Sequence, residues 1–181
     1  MLIGTTRFNN KTFQENKEWR EKHKWNGCIY GTPLKISPKI PKDQKLLVLE
    51  MNNSKPERIM GIGLILNHHR YDFRARIYND PYYNRYFYRS YHRKDHSEIK
   101  NKKMLRFLED ILFRGKTHFK RARGITIIPI QWRDKNLFLP KKLIRRLVKK
   151  DVHRGMKDIE IIKKFRIIQL QLAHFCNHLF V

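Results

Sequence analysis

Seven of the eight tyrosines, Tyr71, Tyr78, Tyr82, Tyr83, Tyr86, Tyr88 and Tyr91, fall within 21 residues and are interleaved with Arg70, Arg74, Arg76, Arg85, Arg89 and Arg93. Flat rings stack on unpaired bases and guanidinium groups take phosphates, so this mixture has the chemistry of a single-stranded or flipped-base platform. Strand alternation puts Tyr86 and Tyr88 on one face and Arg85, Phe87, Arg89 and Tyr91 on the other, so either face offers rings beside charge. The competing reading is structural: a β-hairpin whose tyrosines are half-buried with their hydroxyls in water.

A second cluster runs from Arg114 to Gly124 and holds six basic residues, counting His118, and no acid. Its glycines, Gly115 and Gly124, allow backbone N–H groups to face an anion, and Lys116, His118, Lys120, Arg121 and Arg123 are assigned to phosphates. A plain solvated loop is the alternative. The Gly-Lys-Thr at 115–117 is not a Walker loop, because the preceding strand and first glycine are missing.

A third set, His68-His69, Asn84, His92 and Asp95-His96, is spaced loosely like the metal finger of His-Asn-His nucleases. In such a site one histidine deprotonates water while a metal stabilises the leaving oxyanion. The expected glycine turn is absent and Pro81 interrupts the segment, so nuclease chemistry ranks third and requires His69 and His92 to reach one metal ion. Ser37, Ser54, Ser90 and Ser97 lack a glycine elbow for acyl transfer. The leading reading therefore carries no catalytic residue, no metal and no cofactor.

Charge supports a polyanionic partner. The 181 residues hold 41 Lys+Arg against 16 Asp+Glu, a formal net charge of +25. The excess is spread through the chain, +6 over residues 1–69, +10 over 70–125 and +9 over 126–181, and is threaded through apolar positions rather than held in a tail. Such self-repulsion suits a fold that lives beside nucleic acid; an acidic protein is the next partner, ahead of an anionic membrane. With 40% hydrophobic residues the chain fills a real core, and whole-chain disorder is excluded. No stretch of about 18 apolar residues spans a membrane. The first residues have neither the basic cluster nor the apolar run of a signal peptide, and Cys28 and Cys176 match no metal or redox spacing. An intracellular place, cytoplasmic, nuclear or in a virion, is expected, with no membrane partner.

The elements that position these clusters follow from pattern. Thr12 with Glu15 has capping-box spacing and predicts a helix over 12–24. Pro33, Pro38 and Pro41 forbid a helix after the Asn26-Gly27 turn. The apolar runs 45–51 and 58–66 predict a hairpin of buried strands. Gly61 and Gly63 share one face of the second strand, which reads first as tight curvature of a barrel-like sheet and second as room for a close approach to the backbone. Strands are predicted at 73–78 and 85–91, a helix at 98–113, a strand at 125–130, and closing helices at 140–150 and 156–178.

The order of a short N-terminal strand, a helix, the 25–31 turn Trp-Asn-Gly-Cys-Ile-Tyr-Gly, the strand Leu46 to Met51 and Ile59-Met60-Gly61-Ile62-Gly63-Leu64-Ile65 resembles the first half of the PUA-like superfamily of EVE, ASCH and YTH domains. That resemblance spans roughly residues 1–95. It implies a pseudo-barrel that holds a modified or flipped base in an aromatic pocket, with Trp25, Tyr30 and the Tyr82–Tyr91 set as the rings. The Lys-, Asn- and Ile-rich composition is similar to that of proteins from large DNA viruses.

The resulting expectation is an α+β protein with a small, curved, mostly antiparallel barrel-like sheet. Residues 1–113 would form the barrel-like part with its closing helix, and 114–181 the basic loop, a strand and a C-terminal helical pair packed on it. Its work would be nucleic-acid binding, RNA among the candidates, with bases on the Tyr/Arg hairpin and phosphates on the basic loop. A virion structural or assembly protein with a basic, genome-facing surface is the alternative.

Overall fold

Seven strands and two helices make up the described part of the chain, a computed structural model covering residues 2–128 apart from Asp72, 115–117 and Ala122. In order these are β1 (Leu2–Phe8), α1 (Asn10–Lys22), β2 (Cys28–Thr32), β3 (Lys45–Asn52), β4 (Arg58–Leu66), β5 (Tyr86–Ser90), β6 (Arg93–Asp95), α2 (Lys102–Phe113) and β7 (Thr126–Ile127), with 3₁₀ turns at Pro81–Tyr83 and His96–Glu98. The class is α+β. The strands lie in two sheets, not in one closed barrel: a five-stranded sheet of order β6-β4-β3-β1-β7 and a two-stranded sheet of β2 and β5. Pairing is antiparallel except for β1 with β3, which run parallel. The helices predicted at 140–150 and 156–178, and the end of the predicted strand at 129–130, lie outside the described residues.

Local chemistry explains the boundaries. Asn9 caps α1: its side chain accepts from Thr12 N–H at 2.8 Å while Thr12 Oγ1 accepts from Asn9 N–H at 3.0 Å. The capping box thus sits one turn earlier than the Thr12–Glu15 spacing predicts, because the short Asn9 amide on extended backbone already reaches the N3 N–H. The predicted hairpin 45–51/58–66 is β3 and β4, with a bulge where Glu50 faces Gly61 but Met51 faces Ile59. Every residue of β3 after Lys45 is buried. Leu46 and Val48 face the core shared with Ile29, Tyr30, Phe87 and Tyr88 of the small sheet. Leu47 and Leu49 alternate to the opposite face. There α2 contacts β4, and Glu109 accepts a hydrogen bond from Ile59 N–H at 2.9 Å.

The predicted hairpin of 73–78 with 85–91 does not form. Residues 73–77 keep the period-2 pattern, with Arg74 and Arg76 exposed and Phe73, Ala75 and Ile77 turned inward, but they join no sheet. β5 instead pairs with β2, Tyr88 opposite Tyr30 and Tyr86 opposite Thr32. The reason is burial: all five residues of β2 are buried, so its backbone groups need ladder partners that a surface segment does not. β7, predicted within 125–130, docks on β1, so the chain beyond residue 114 contributes a strand to the main sheet.

The two sheets are joined by a buried ionic cluster. Arg93 forks onto Glu50, Nε to Oε1 at 2.9 Å and Nη2 to Oε2 at 2.7 Å, with both side chains 3% exposed. Arg93 Nη1 also reaches Asp95 at 2.8 Å. Tyr30, in the other sheet, donates its hydroxyl to Glu50 Oε1 at 2.9 Å. Burial alone pulls the Arg93 guanidinium pKa down, but Glu50 and then Asp95 outweigh it and the net shift is upward. Gly61 and Gly63 make the room. A Cβ on Gly63 would stand 2.2 Å from the Tyr30 hydroxyl, and one on Gly61 would stand 2.7 Å from both Arg93 Nη2 and Glu50 Oε2. Of the two readings of that glycine pair, close approach is the one these contacts satisfy.

Two outcomes test this joint by denaturant unfolding. Arg93→Met strands the Glu50 carboxylate and should cost about 3–5 kcal/mol, while adding Glu50→Gln should recover part of the loss. Gly63→Ala should cost about 1–3 kcal/mol through overpacking against Tyr30 and Cys28.

Candidate nucleic-acid interface

Strand alternation on β5 holds. Tyr86 and Tyr88 lie against His69, whereas Phe87 and Arg89 lie against Phe73. Burial, however, removes several of the expected contact residues. Tyr88 is 1% exposed and its hydroxyl accepts from Ile36 N–H at 2.9 Å, so its ring is core. Burial pushes the Tyr88 phenol pKa up, with the nearby Ile36 N–H opposing. Tyr30 is likewise 1% exposed and committed to Glu50. Arg93 is consumed by Glu50 and Asp95. Trp25 is half-buried, donating Nε1–H to Cys28 O at 3.1 Å beneath Tyr91, whose ring lies 4.5 Å away. Trp25 and Tyr30 therefore do not offer a pair of open rings to one base.

What stays on the surface is a row in which rings and cations alternate. Tyr71 is 74% exposed, and Tyr82 and Tyr83 are each 40% exposed. Lys35 Nζ sits over both Tyr71 and Tyr86, at 5.6 and 5.4 Å. Arg85 bridges Tyr86 and Tyr82 at 5.8 and 5.9 Å, and Tyr82 meets Tyr83 edge-on at 5.9 Å. His69 backs the row, its ring 3.9 Å from Tyr71, with its pKa lowered by burial and then by Lys35 and His68. The 3₁₀ turn presents Tyr82 and Tyr83 because Asp80 caps it, accepting from Tyr82 N–H at 2.9 Å. Asn84 holds the loop closed from inside, its Oδ1 accepting from Ile77 and Tyr78 N–H at 3.0 and 3.1 Å. Lys35 carries no motif; only its place among the prolines of 33–41 marks it as a loop residue.

On the opposite side of β5 a groove of about 640 Å³ is lined by Trp19, Trp25, Phe73, Arg74, Arg76 and Arg89, among others. Its rings are already covered from within the chain: Arg89 lies 4.3 Å from Phe73 and 5.1 Å from Trp25, and His23 stacks on Trp19 at 4.0 Å. Glu15 and Glu18 also line it. Arg74 and Arg76 are exposed there as cations.

The basic loop is less solvated than expected. Arg7 of β1 donates to Phe119 O at 3.2 Å and Gly124 O at 3.5 Å, and Lys120 pairs with Glu57. His118 is half-buried, accepting from Lys120 N–H at 3.3 Å, while Arg121 and Arg123 are exposed. Gly124 has φ +65°, the left-handed region that favours glycine. Lys116 lies outside the described residues. Between this loop, β1 and the Tyr83 turn lies a pocket of about 260 Å³. Arg7 is the lining residue that the sequence did not mark, a lone cation within an apolar strand; burial lowers its pKa.

The nuclease arrangement is not assembled. Asn84 is spent on backbone, His68 pairs with Asp43 at 2.8 Å and His96 contacts Ile59 O at 2.7 Å. Among the described residues no three His, Cys, Asp or Glu side chains gather to hold a metal ion. No helix of the described residues is long and apolar enough to cross a membrane. Set against protein-family models, curated proteins and solved structures, the chain matches none.

Burial makes Tyr88 and Tyr91 behave differently. Tyr88→Phe orphans the Ile36 N–H and should cost about 1–3 kcal/mol in chemical unfolding, whereas Tyr91→Ala, at a ring 78% exposed, should stay within about 0.5 kcal/mol of the parent. Cys28 is also testable. Burial, and secondly Glu50, push its thiol pKa up to about 12, so in a Cys176→Ser background it should resist thiol reagents at pH 8 until the protein is unfolded.

Proposed function

We propose that the protein binds single-stranded nucleic acid along the row Tyr71, Tyr86, Tyr82 and Tyr83, with Lys35 and Arg85 meeting the phosphates between stacked bases. The observation that carries this reading is the alternation itself: each of the two cations lies over two neighbouring tyrosine rings. A base stacked on an exposed phenol leaves its backbone beside the next cation, and every base has a face to stack, so sequence preference should be slight. Duplex DNA hides those faces, which favours unpaired strands. The net charge of +25 supplies the long-range attraction that brings a polyanion to the row.

The test is equilibrium binding to a labelled oligonucleotide over a salt series. Log affinity should fall linearly with log salt, with a slope of about −0.7 for each phosphate engaged on a single strand. Tyr71→Ala or Tyr82→Ala should each cost about 1–3 kcal/mol at unchanged slope, since a ring carries no charge. Lys35→Ala or Arg85→Ala should make the slope shallower. Equal affinity for single strand and duplex, or a flat salt response, would remove the reading.

A further inference from the structure

The pocket beside Tyr83 is lined by three cations, Arg7, Lys120 and Arg123, and by no carboxylate, in contrast to the acid-bearing groove across β5. Tyr83 also ends the surface row, so a strand lying on Tyr71, Tyr86 and Tyr82 runs toward this pocket. We propose that the pocket is a nucleoside-monophosphate site that takes a phosphorylated strand end or a free mononucleotide, a proposal that rests on the strand-binding reading but is tested apart from it.

Size, charge and polarity agree. At about 260 Å³ the cavity lies just under the range of about 300–1,000 Å³ that holds drug-sized ligands, so it suits one small nucleotide and excludes a folded nucleic-acid element. Arg7 spends donors on the Phe119 and Gly124 carbonyls, and those contacts fix the cation in place without neutralising it. Lys120 is partly neutralised by Glu57. Arg123 is exposed and has no acidic partner among the described residues, which leaves its charge for a ligand. The start of the 13-residue α1, with Asn9 and Thr12 in the lining and no acidic residue in its first turn, adds the positive end of a helix dipole.

The lining also suits more than a bare phosphate. Tyr83, 40% exposed, contributes a ring on which the last base can stack, and Asn9, Thr12 and Asn53 contribute polar side chains to the same pocket.

The experiment uses the full chain with two probe sets. In the first, one short single strand is prepared with a 5′-phosphate, a 3′-phosphate or hydroxyls at both ends, and binding is followed by anisotropy. In the second, a nucleoside monophosphate is compared with its nucleoside by calorimetry. One phosphorylated end should bind about tenfold tighter than the dephosphorylated strand, the gain expected of one charge-assisted phosphate site. Arg123→Ala should abolish that gain without unfolding the protein, and Lys39→Ala, an exposed loop change elsewhere, should keep it. Binding of the monophosphate over the nucleoside, lost in Arg123→Ala but without preference for a strand end, would assign the same site to free nucleotide. If no oligonucleotide binds yet the monophosphate does, the tyrosine row fails and the pocket stands. If neither probe set responds to its phosphate, the pocket inference is overturned, whether or not strands bind.

Discussion

The Glu50–Arg93 pair, capped by the Tyr30 hydroxyl, is the contact on which the arrangement of the surface depends. A carboxylate and a guanidinium this far from water are tolerated because each is forked onto the other and the remaining lone pair is met by Tyr30. The pair ties β3 to β6, and through Tyr30 it ties the five-stranded sheet to the two-stranded one. Tyr30 then fixes β2, and β2 fixes β5 by pairing Tyr30 with Tyr88 and Thr32 with Tyr86. The glycines at 61 and 63 are the steric condition for all of it, since any side chain there would displace the ions or the phenol.

From that joint the exposed row of rings and cations follows by alternation. With Tyr88 turned into the core, Tyr86 beside it on the same face reaches the surface, and Arg85 and the Asp80-capped turn carry the row on to Tyr82 and Tyr83. Phe87 and Arg89 point the other way and close the Trp25–Phe73 side with the chain's own guanidinium. A strand that is aromatic on both faces thus has two surroundings: part of it completes a core and one end joins the exposed row of rings and cations. The basic loop enters through Arg7, whose bonds to Phe119 and Gly124 bring Lys120 and Arg123 to the Tyr83 end.

Much of the main sheet was legible in the sequence, because β3 and β4 are apolar runs bounded by turn residues and α2 has a clear apolar period. The glycine spacing at 61 and 63 reads first as sheet curvature, and the structure instead uses it for close approach of Tyr30, Glu50 and Arg93. What crowded it was not legible, since Glu50 reads as the polar end of an apolar run and Arg93 as one more surface cation. β5 was found, but its partner was not: residues 73–78 are near and alternate correctly, while β2 lies more than fifty residues upstream and is chosen by burial. For the same reason Tyr30 and Tyr88 looked like open rings. Lys35 and Arg7 are single cations without a motif, and only the fold places them against rings and carbonyls. Asn84, whose spacing the third-ranked nuclease reading used, has its amide oxygen occupied by the N–H groups of Ile77 and Tyr78.

The central claim is that bases lie on the exposed tyrosines of this row, and the most direct measurement is zero-length photocrosslinking of a bound single strand followed by mass-spectrometric mapping of the adducts. The account predicts adducts concentrated on Tyr71, Tyr82 and Tyr83, with Tyr30 and Tyr88 unmodified. Adducts confined to other parts of the chain, with none on those three rings, would contradict it.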